Sequence, residues 1–202
     1  IPLLILPTQG IDYELDRPSN LERLNDDNKN DLIEILKKCD GIVMPGGSKW
    51  YEYDEFISKY VVDNDIPVLG ICAGMQLLSK TLNNNRVDGI DNTVLNDTII
   101  NHNQPKVEYV HSVKIKEDTY MHDIVKSSEI NVNSRHKYHV PNELSFLSSA
   151  NSLDGLIEAI EYRDNKFTIG VQWHPERMCF SERREDTLDG RYIFEHFVNM
   201  CK

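Results

Sequence analysis

The sequence predicts an α/β domain: a mainly parallel sheet flanked by helices, with an added antiparallel meander. Three observations carry this. Short runs that are almost wholly apolar, Pro2-Leu3-Leu4-Ile5-Leu6-Pro7, Gly41-Ile42-Val43-Met44 and Val68-Leu69-Gly70-Ile71, are separated by stretches of helical periodicity. Strands without a polar side are those buried on both faces. The third run continues into Gly70-Ile71-Cys72-Ala73-Gly74, the pattern of a tight strand-to-helix turn that lifts one side chain above a sheet. Residues 144–150, 156–162 and 167–173 then read as successive strands with short connections. The 202 residues suit one domain, 1–202.

In chain order, the first run is a strand that starts at Ile1, a residue other than Met. Residues 8–27 are polar and read as a loop near a strand's C-terminal end, where ligands of open α/β sheets bind. Arg17 in it has two readings, a partner for a substrate carboxylate or a solvated surface residue. Residues 30–38 read as a helix, with Leu32, Ile33, Ile35 and Leu36 as its apolar stripe and Lys37-Lys38 suiting its C-terminal dipole. The strand 41–44 leads into Pro45-Gly46-Gly47, either a turn or a backbone that a ligand approaches closely. Trp50, Tyr51 and Tyr53 either line a site or pack against the next helix, 54–64. The helix after Cys72 turns Met75, Leu77 and Leu78 inward, with Gln76 one turn past the cysteine.

Residues 83–106 are rich in Asn and Asp and read as a loop with a short β segment at 98–101. Residues 110–116 alternate apolar and polar residues, as a half-exposed strand does. A short helix or turn at 120–125 and a strand at 129–133 follow. Asp164-Asn165-Lys166 is a hairpin-like turn before the strand 167–173. Residues 181–189 are highly charged and read as a solvated connection. Tyr192, Ile193, Phe194, Phe197 and Val198 form the stripe of a final helix over 188–201.

Net charge is −11, which argues against nucleic acid or an anionic membrane as a partner. No apolar run approaches the roughly 20 residues of a membrane span, and no signal peptide is visible. Cys39, Cys72, Cys179 and Cys201 show no Cys-x-x-Cys and no metal-ligand spacing. This usage fits a reducing, cytoplasmic compartment.

The chemistry centres on Cys72. A helix N-terminus beyond the turn favours an anion there, and its N–H groups can face an oxyanion. A buried structural cysteine at a strand end is the other reading. A nucleophilic cysteine needs a base, and the base needs a third group to fix its tautomer. His174 and Glu176 follow the strand end at Gly170-Val171-Gln172-Trp173. Residues two apart on extended chain point the same way, and Pro175 biases His174 away from the helical region.

Together, Met44-Pro45-Gly46-Gly47, Gly70-Ile71-Cys72-Ala73-Gly74-Met75-Gln76, Asn133-Ser134-Arg135-His136, Asp154-Gly155-Leu156-Ile157-Glu158-Ala159 and Gly170-Val171-Gln172-Trp173-His174-Pro175-Glu176 resemble the class I glutamine amidotransferases. The third and fourth of these stretches are most similar to the peptidase C26 branch of gamma-glutamyl hydrolases, including the gamma-glutamyl-gamma-aminobutyrate hydrolases. The resemblance implies a flavodoxin-like sheet and a Cys72-His174-Glu176 triad. It implies an oxyanion hole from the N–H groups of Gly47 and Ala73. It also implies substrate contacts at Gly46, Gln76, Asn133, Ser134 and His136. Tyr138 stands where the family often has glutamine. The family's first strand-helix unit is absent before Ile1, which suggests a segment of a longer chain.

The activity implied is cleavage of gamma-glutamyl amides through a thioester, with no metal or organic cofactor. The substrate is a small gamma-glutamyl compound or glutamine, and a homo-oligomer is open. Two other classes remain. The chain could be a glutaminase subunit that delivers ammonia to a synthase partner, or a non-enzymatic redox-sensing protein, although the latter lack the downstream His-x-Glu.

Overall fold

A computed structural model describes residues 24–47, 50–83, 100–103, 110–141 and 147–202. The expected strand at residues 2–7, Arg17 and residues 98–99 of the expected β segment 98–101 lie outside the described residues, and 100–101 of that segment are not strand.

Helix α1 (Asp26–Leu36) starts four residues earlier than periodicity suggests, because the Asn25 side chain accepts the Asn28 N–H at 2.8 Å and Asp26-Asp27 occupy the first turn. Strand β1 (Ile42–Met44) follows, then α2 (Glu52–Asp63), β2 (Val68–Ile71) and α3 (Ala73–Leu82). The chain continues with β3 (Val110–Ile115), α4 (Tyr120–Val125), β4 (Glu129–Asn133), β5 (Leu147–Ser152), β6 (Ile157–Tyr162), β7 (Thr168–Val171) and α5 (Arg191–Met200). The stretch at 120–125 is thus a helix. Thr119 caps it through the His122 N–H, and the buried Glu161 carboxylate accepts the N–H groups of Tyr120 at 3.0 Å and Met121 at 2.7 Å.

The seven strands run β1-β2-β7-β6-β5-β3-β4 in one sheet. Among the described residues two pairings, β1–β2 and β2–β7, are parallel and four are antiparallel. The parallel part and the antiparallel addition are both present, and β7 is the strand where they join. Helices α1, α2 and α3 cover one face with Leu36, Val61, Met75 and Leu78 packed on Val68 and Ile160. The other face holds Leu69, Ile71, Val113, Phe167 and Trp173 under Met121, Ile193 and Phe197 of α4 and α5. The apolar β2 and the nearly apolar β7, whose one polar residue is Thr168, follow from this double cover, since all four residues of each are buried.

The charged 181–189 segment is less solvated than its composition suggests. Thr187, Leu188 and Asp189 are buried, and the Asp189 carboxylate accepts from the Arg191 guanidinium at 2.6 Å. Helix α5 therefore begins at Arg191 rather than 188.

The layers meet most tightly at Gly74. A Cβ there would lie 2.1 Å from the Met44 carbonyl oxygen of β1, so only glycine lets α3 rise this close to the sheet. Gly74→Ala is expected to lower unfolding free energy by about 1–3 kcal/mol, read from urea midpoints. A loss within about 0.5 kcal/mol would mean that β1 yields freely.

Candidate active site

The C-terminal ends of β1, β2 and β7 lie side by side and bring three chain segments together. At the end of β2 the backbone reverses into α3. Cys72 occupies that turn with φ 50° and ψ −105°, a conformation that residues with a Cβ rarely adopt. The Cys72 N–H is held by the Val171 carbonyl of β7 at 2.7 Å, and its carbonyl accepts the Gln76 N–H at 3.1 Å. The turn is thus fixed on both sides. Cys72 is 7% exposed, beside the N-terminus of α3.

From β7, His174 emerges beside the cysteine and is largely buried. Its Nδ1 lies 2.7 Å from Glu176 Oε1. The expected reason for this contact needs correction. Pro175–Arg177 is a turn of 3₁₀ helix, not extended chain. The turn brings the Glu176 carboxylate back to the ring of the residue that precedes the turn. Burial, the largest single influence, pulls the His174 imidazole down. Hydrogen bonding and charge at Cys72 and Glu176 together outweigh it and push the group up to about 9. Burial likewise raises Glu176, yet its bond to His174 leaves the carboxyl below the usual range.

Gly46, exposed after β1, completes the group. A Cβ on it would sit 2.8 Å from His174 Cε1 and 3.4 Å from Cys72 Cβ. The bare backbone of 46–47 therefore passes directly against the cysteine and histidine. Gly47 is also exposed. The carbonyl of Ala73, the first residue of α3, accepts the Trp50 indole N–H at 2.9 Å, so the aromatic segment braces the turn. Of its two readings, packing is the one seen: Trp50 and Tyr53 pack with α2 and α3, and Tyr51 stacks on Tyr53.

The remaining expected site residues form the wall behind this group. Asn133, at the end of β4, donates from Nδ2 to the His174 carbonyl and accepts the His174 N–H through Oδ1, each at 2.8 Å. Both its polar atoms hold the histidine's backbone. Gln76 is buried and donates to the Tyr138 carbonyl and to Gln172 Oε1, both at 3.1 Å. Ser134 and His136 face inward. Ser134 Oγ donates to the His102 carbonyl at 3.0 Å, and His136 Nδ1 lies 2.7 Å from the Tyr138 carbonyl. Sequence reasoning missed the double bond from Asn133 and the brace from Trp50, because neither contact has a local spacing that signals it.

Chemically, the arrangement offers a strained, buried thiol, an imidazole oriented by a carboxylate, and exposed backbone at a helix N-terminus. These are the parts of nucleophilic acyl transfer. No helix among the described residues is long and apolar enough to cross a membrane.

Comparisons with known proteins identify the family and the fold. The peptidase C26 family model matches residues 23–176. A glutamine amidotransferase-like protein of Rickettsia prowazekii is 31% identical, with 74% of each chain covered. The CTP synthase of Staphylococcus haemolyticus is 32% identical over 85% of this chain, which spans only 36% of that enzyme. Among solved structures, the glutaminase domain of Trypanosoma brucei CTP synthase, with bound acivicin, has a TM-score of 0.64 at 22% identity, covering 88% of this chain and 76% of that one. A GMP synthase subunit from Thermoplasma acidophilum gives 0.59 at 22% identity, covering 83% and 75%. At these identities the two structures show the shared fold.

A histidine held near 9 in the fold, against about 6.5 unfolded, stabilises the protein most fully below pH 6.5. That contribution is lost as pH rises through about 9. Urea unfolding at stepped pH should show this decline in the parent. It should begin at lower pH in Glu176→Gln, which removes the carboxylate. Identical profiles would rule out Glu176 as a source of the shift.

Proposed function

Since the chain belongs to the peptidase C26 family and is glutamine amidotransferase-like, we propose that it is a cysteine hydrolase of gamma-glutamyl amides. The observation that carries this is the 2.7 Å His174–Glu176 contact beside a cysteine with φ 50° at the head of α3.

In this reading Cys72 attacks the amide carbonyl. The thiol proton passes to His174 Nε2, because Glu176 engages Nδ1 and leaves Nε2 for the sulfur. The N–H groups of Gly47 and Ala73 stabilise the tetrahedral oxyanion, at about 2.7–4 kcal/mol for each donor. As the C–N bond breaks, His174 returns the proton to the leaving amine. A glutamyl thioester remains on Cys72. Water, deprotonated by His174, then attacks the thioester and frees glutamate, and Cys72 regains its proton. Asn133 positions the base by fixing the backbone on both sides of the His174 Cα. Gly46 leaves the approach to sulfur open. None of these steps calls on a metal or organic cofactor.

A second reading has one observation in its favour. This chain spans only about a third of the length of the CTP synthases it matches. The same chemistry would then act on glutamine and pass ammonia to a synthase partner.

Released glutamate, measured for the purified protein alone against glutamine and a panel of gamma-glutamyl amides, separates the two. Partner-free turnover of substituted amides, reduced about 10⁴-fold in Cys72→Ala and about 10²–10⁴-fold in His174→Ala, is the expected result. Cleavage of glutamine alone, and only with a synthase partner added, would replace it with the second reading. Asn133→Ala is expected to lower kcat by about tenfold or more with little change in KM. A rise in KM with kcat intact would instead make Asn133 a substrate contact.

A further inference from the structure

Behind the triad lies a buried cluster that the mechanism does not use. His102, His111, His136 and Glu158 come from four separate segments, and their side chains are 0%, 7%, 1% and 0% exposed. The His102 ring centroid is 4.8 Å from that of His111 and 4.8 Å from that of His136.

Each histidine has one nitrogen committed outward. His102 Nε2 lies 3.1 Å from Asp154 Oδ2. His111 Nδ1 faces the Ser112 carbonyl at 3.2 Å, and His136 Nδ1 the Tyr138 carbonyl at 2.7 Å. All three outward partners accept hydrogen bonds, so those nitrogens carry the protons. In the neutral rings the other nitrogen is a lone pair, and all three turn toward one atom, Glu158 Oε1; carboxylates on both sides also favour a protonated His102, which would occupy one of these nitrogens. His102 Nδ1 is 3.2 Å from it, His111 Nε2 3.5 Å and His136 Nε2 3.6 Å. No contact is aligned as a hydrogen bond: His111 Nε2, His136 Nε2 and both Glu158 oxygens have no hydrogen-bond partner among the described residues. Ser134 Oγ is 3.3 Å from His102 Nδ1 but also reaches the His102 carbonyl.

Four lone-pair atoms turned on one another in a dry interior repel unless a positive charge sits among them. One proton would serve a single nitrogen and leave the others facing the carboxylate. A dication serves all of them. Ligand bonds of about 2.0–2.1 Å in a tetrahedron place ligand atoms about 3.3 Å apart, close to the 3.2–3.6 Å between Glu158 Oε1 and the three nitrogens. The ligand atoms of His102, His111 and Glu158 all lie within 4.8 Å of one another.

We propose that His102 Nδ1, His111 Nε2 and Glu158 bind a zinc ion, with His136 Nε2 as the fourth ligand. The imidazole and carboxylate donor set suits zinc. Asp154 completes the pattern of a carboxylate that orients a metal-bound histidine through its other nitrogen. Three neutral imidazoles, two carboxylates and Zn²⁺ sum to no net charge. Four protein ligands leave no open position, so the ion is structural. It ties the 133–138 segment, and with it Asn133, to β3 and β6.

The test uses the full chain with Cys72→Ala, so that the catalytic thiol cannot contribute. The chelator-stripped protein is titrated with Co²⁺ and then displaced with Zn²⁺. We expect one metal per chain, the visible absorption of tetrahedral cobalt without sulfur charge transfer, and a higher Tm with zinc. Asp154→Asn should weaken zinc binding about 10–100-fold, and Glu158→Gln or His111→Gln should abolish the cobalt spectrum. Absence of both the spectrum and the Tm shift in the folded protein overturns the site. So does undiminished binding in folded Asp154→Asn. If the ligand variants do not fold, the titration of the parent and of Asp154→Asn decides.

Discussion

The reversal of the backbone at Cys72 is the constraint on which the rest depends. A residue with a Cβ is held at φ 50°, which costs of order 1–3 kcal/mol, and it stays there because its surroundings allow nothing else. Val171 fixes its N–H, Gln76 its carbonyl, and Gly74 lets the helix sit on Met44. The same turn sets the sulfur at a helix N-terminus and at the end of the parallel strands. Strain, helix placement and the position of the sulfur are thus one feature.

Around that turn the protein orients groups mainly through backbone atoms. Asn133 grips the main chain of His174 rather than its ring, Trp50 grips the carbonyl of Ala73, and Gln76 ends on the carbonyl of Tyr138. Holding main chain leaves the reactive side chains free to exchange protons while their Cα positions stay fixed. The His174 ring is anchored at Nδ1 by Glu176, whose side chain is 45% exposed. The carboxylate can therefore adjust with solvent as charge on the ring comes and goes.

Much of this was legible in the sequence, for local reasons. The Gly-x-Cys-x-Gly turn and the apolar β2 and β7 are written in consecutive residues, and so is the His-Pro-Glu segment. What could not be read is what depends on distant chain. The early start of α1 turns on the Asn25 cap, which a stripe-based boundary overlooks. The stretch 187–189 looked solvated because its neighbours are charged, yet its one carboxylate, Asp189, is buried against the half-exposed Arg191. The His174–Glu176 contact was foreseen by the wrong geometry, since two extended residues and a 3₁₀ turn both bring positions i and i+2 near. The His102–His111–His136–Glu158 cluster has no spacing signature. Its members come together only when β3, β6 and two connecting segments assemble.

The pairing of β2 with β7 has a further consequence. Val68 lies opposite Thr168 and Ile71 opposite Val171, so neighbours in the sheet are about a hundred residues apart along the chain. Closing such a loop is entropically costly, and contacts of this kind form slowly. Cys72 and His174 are neighbours only through this pairing. A partly folded chain without this register lacks both the Val171 carbonyl that holds the Cys72 turn and the histidine beside the sulfur. The thiol therefore reaches its buried place beside His174 only once this long-range register has formed. If Cys72 is the nucleophile proposed above, the topology itself keeps it from acting before the sheet that controls it is complete.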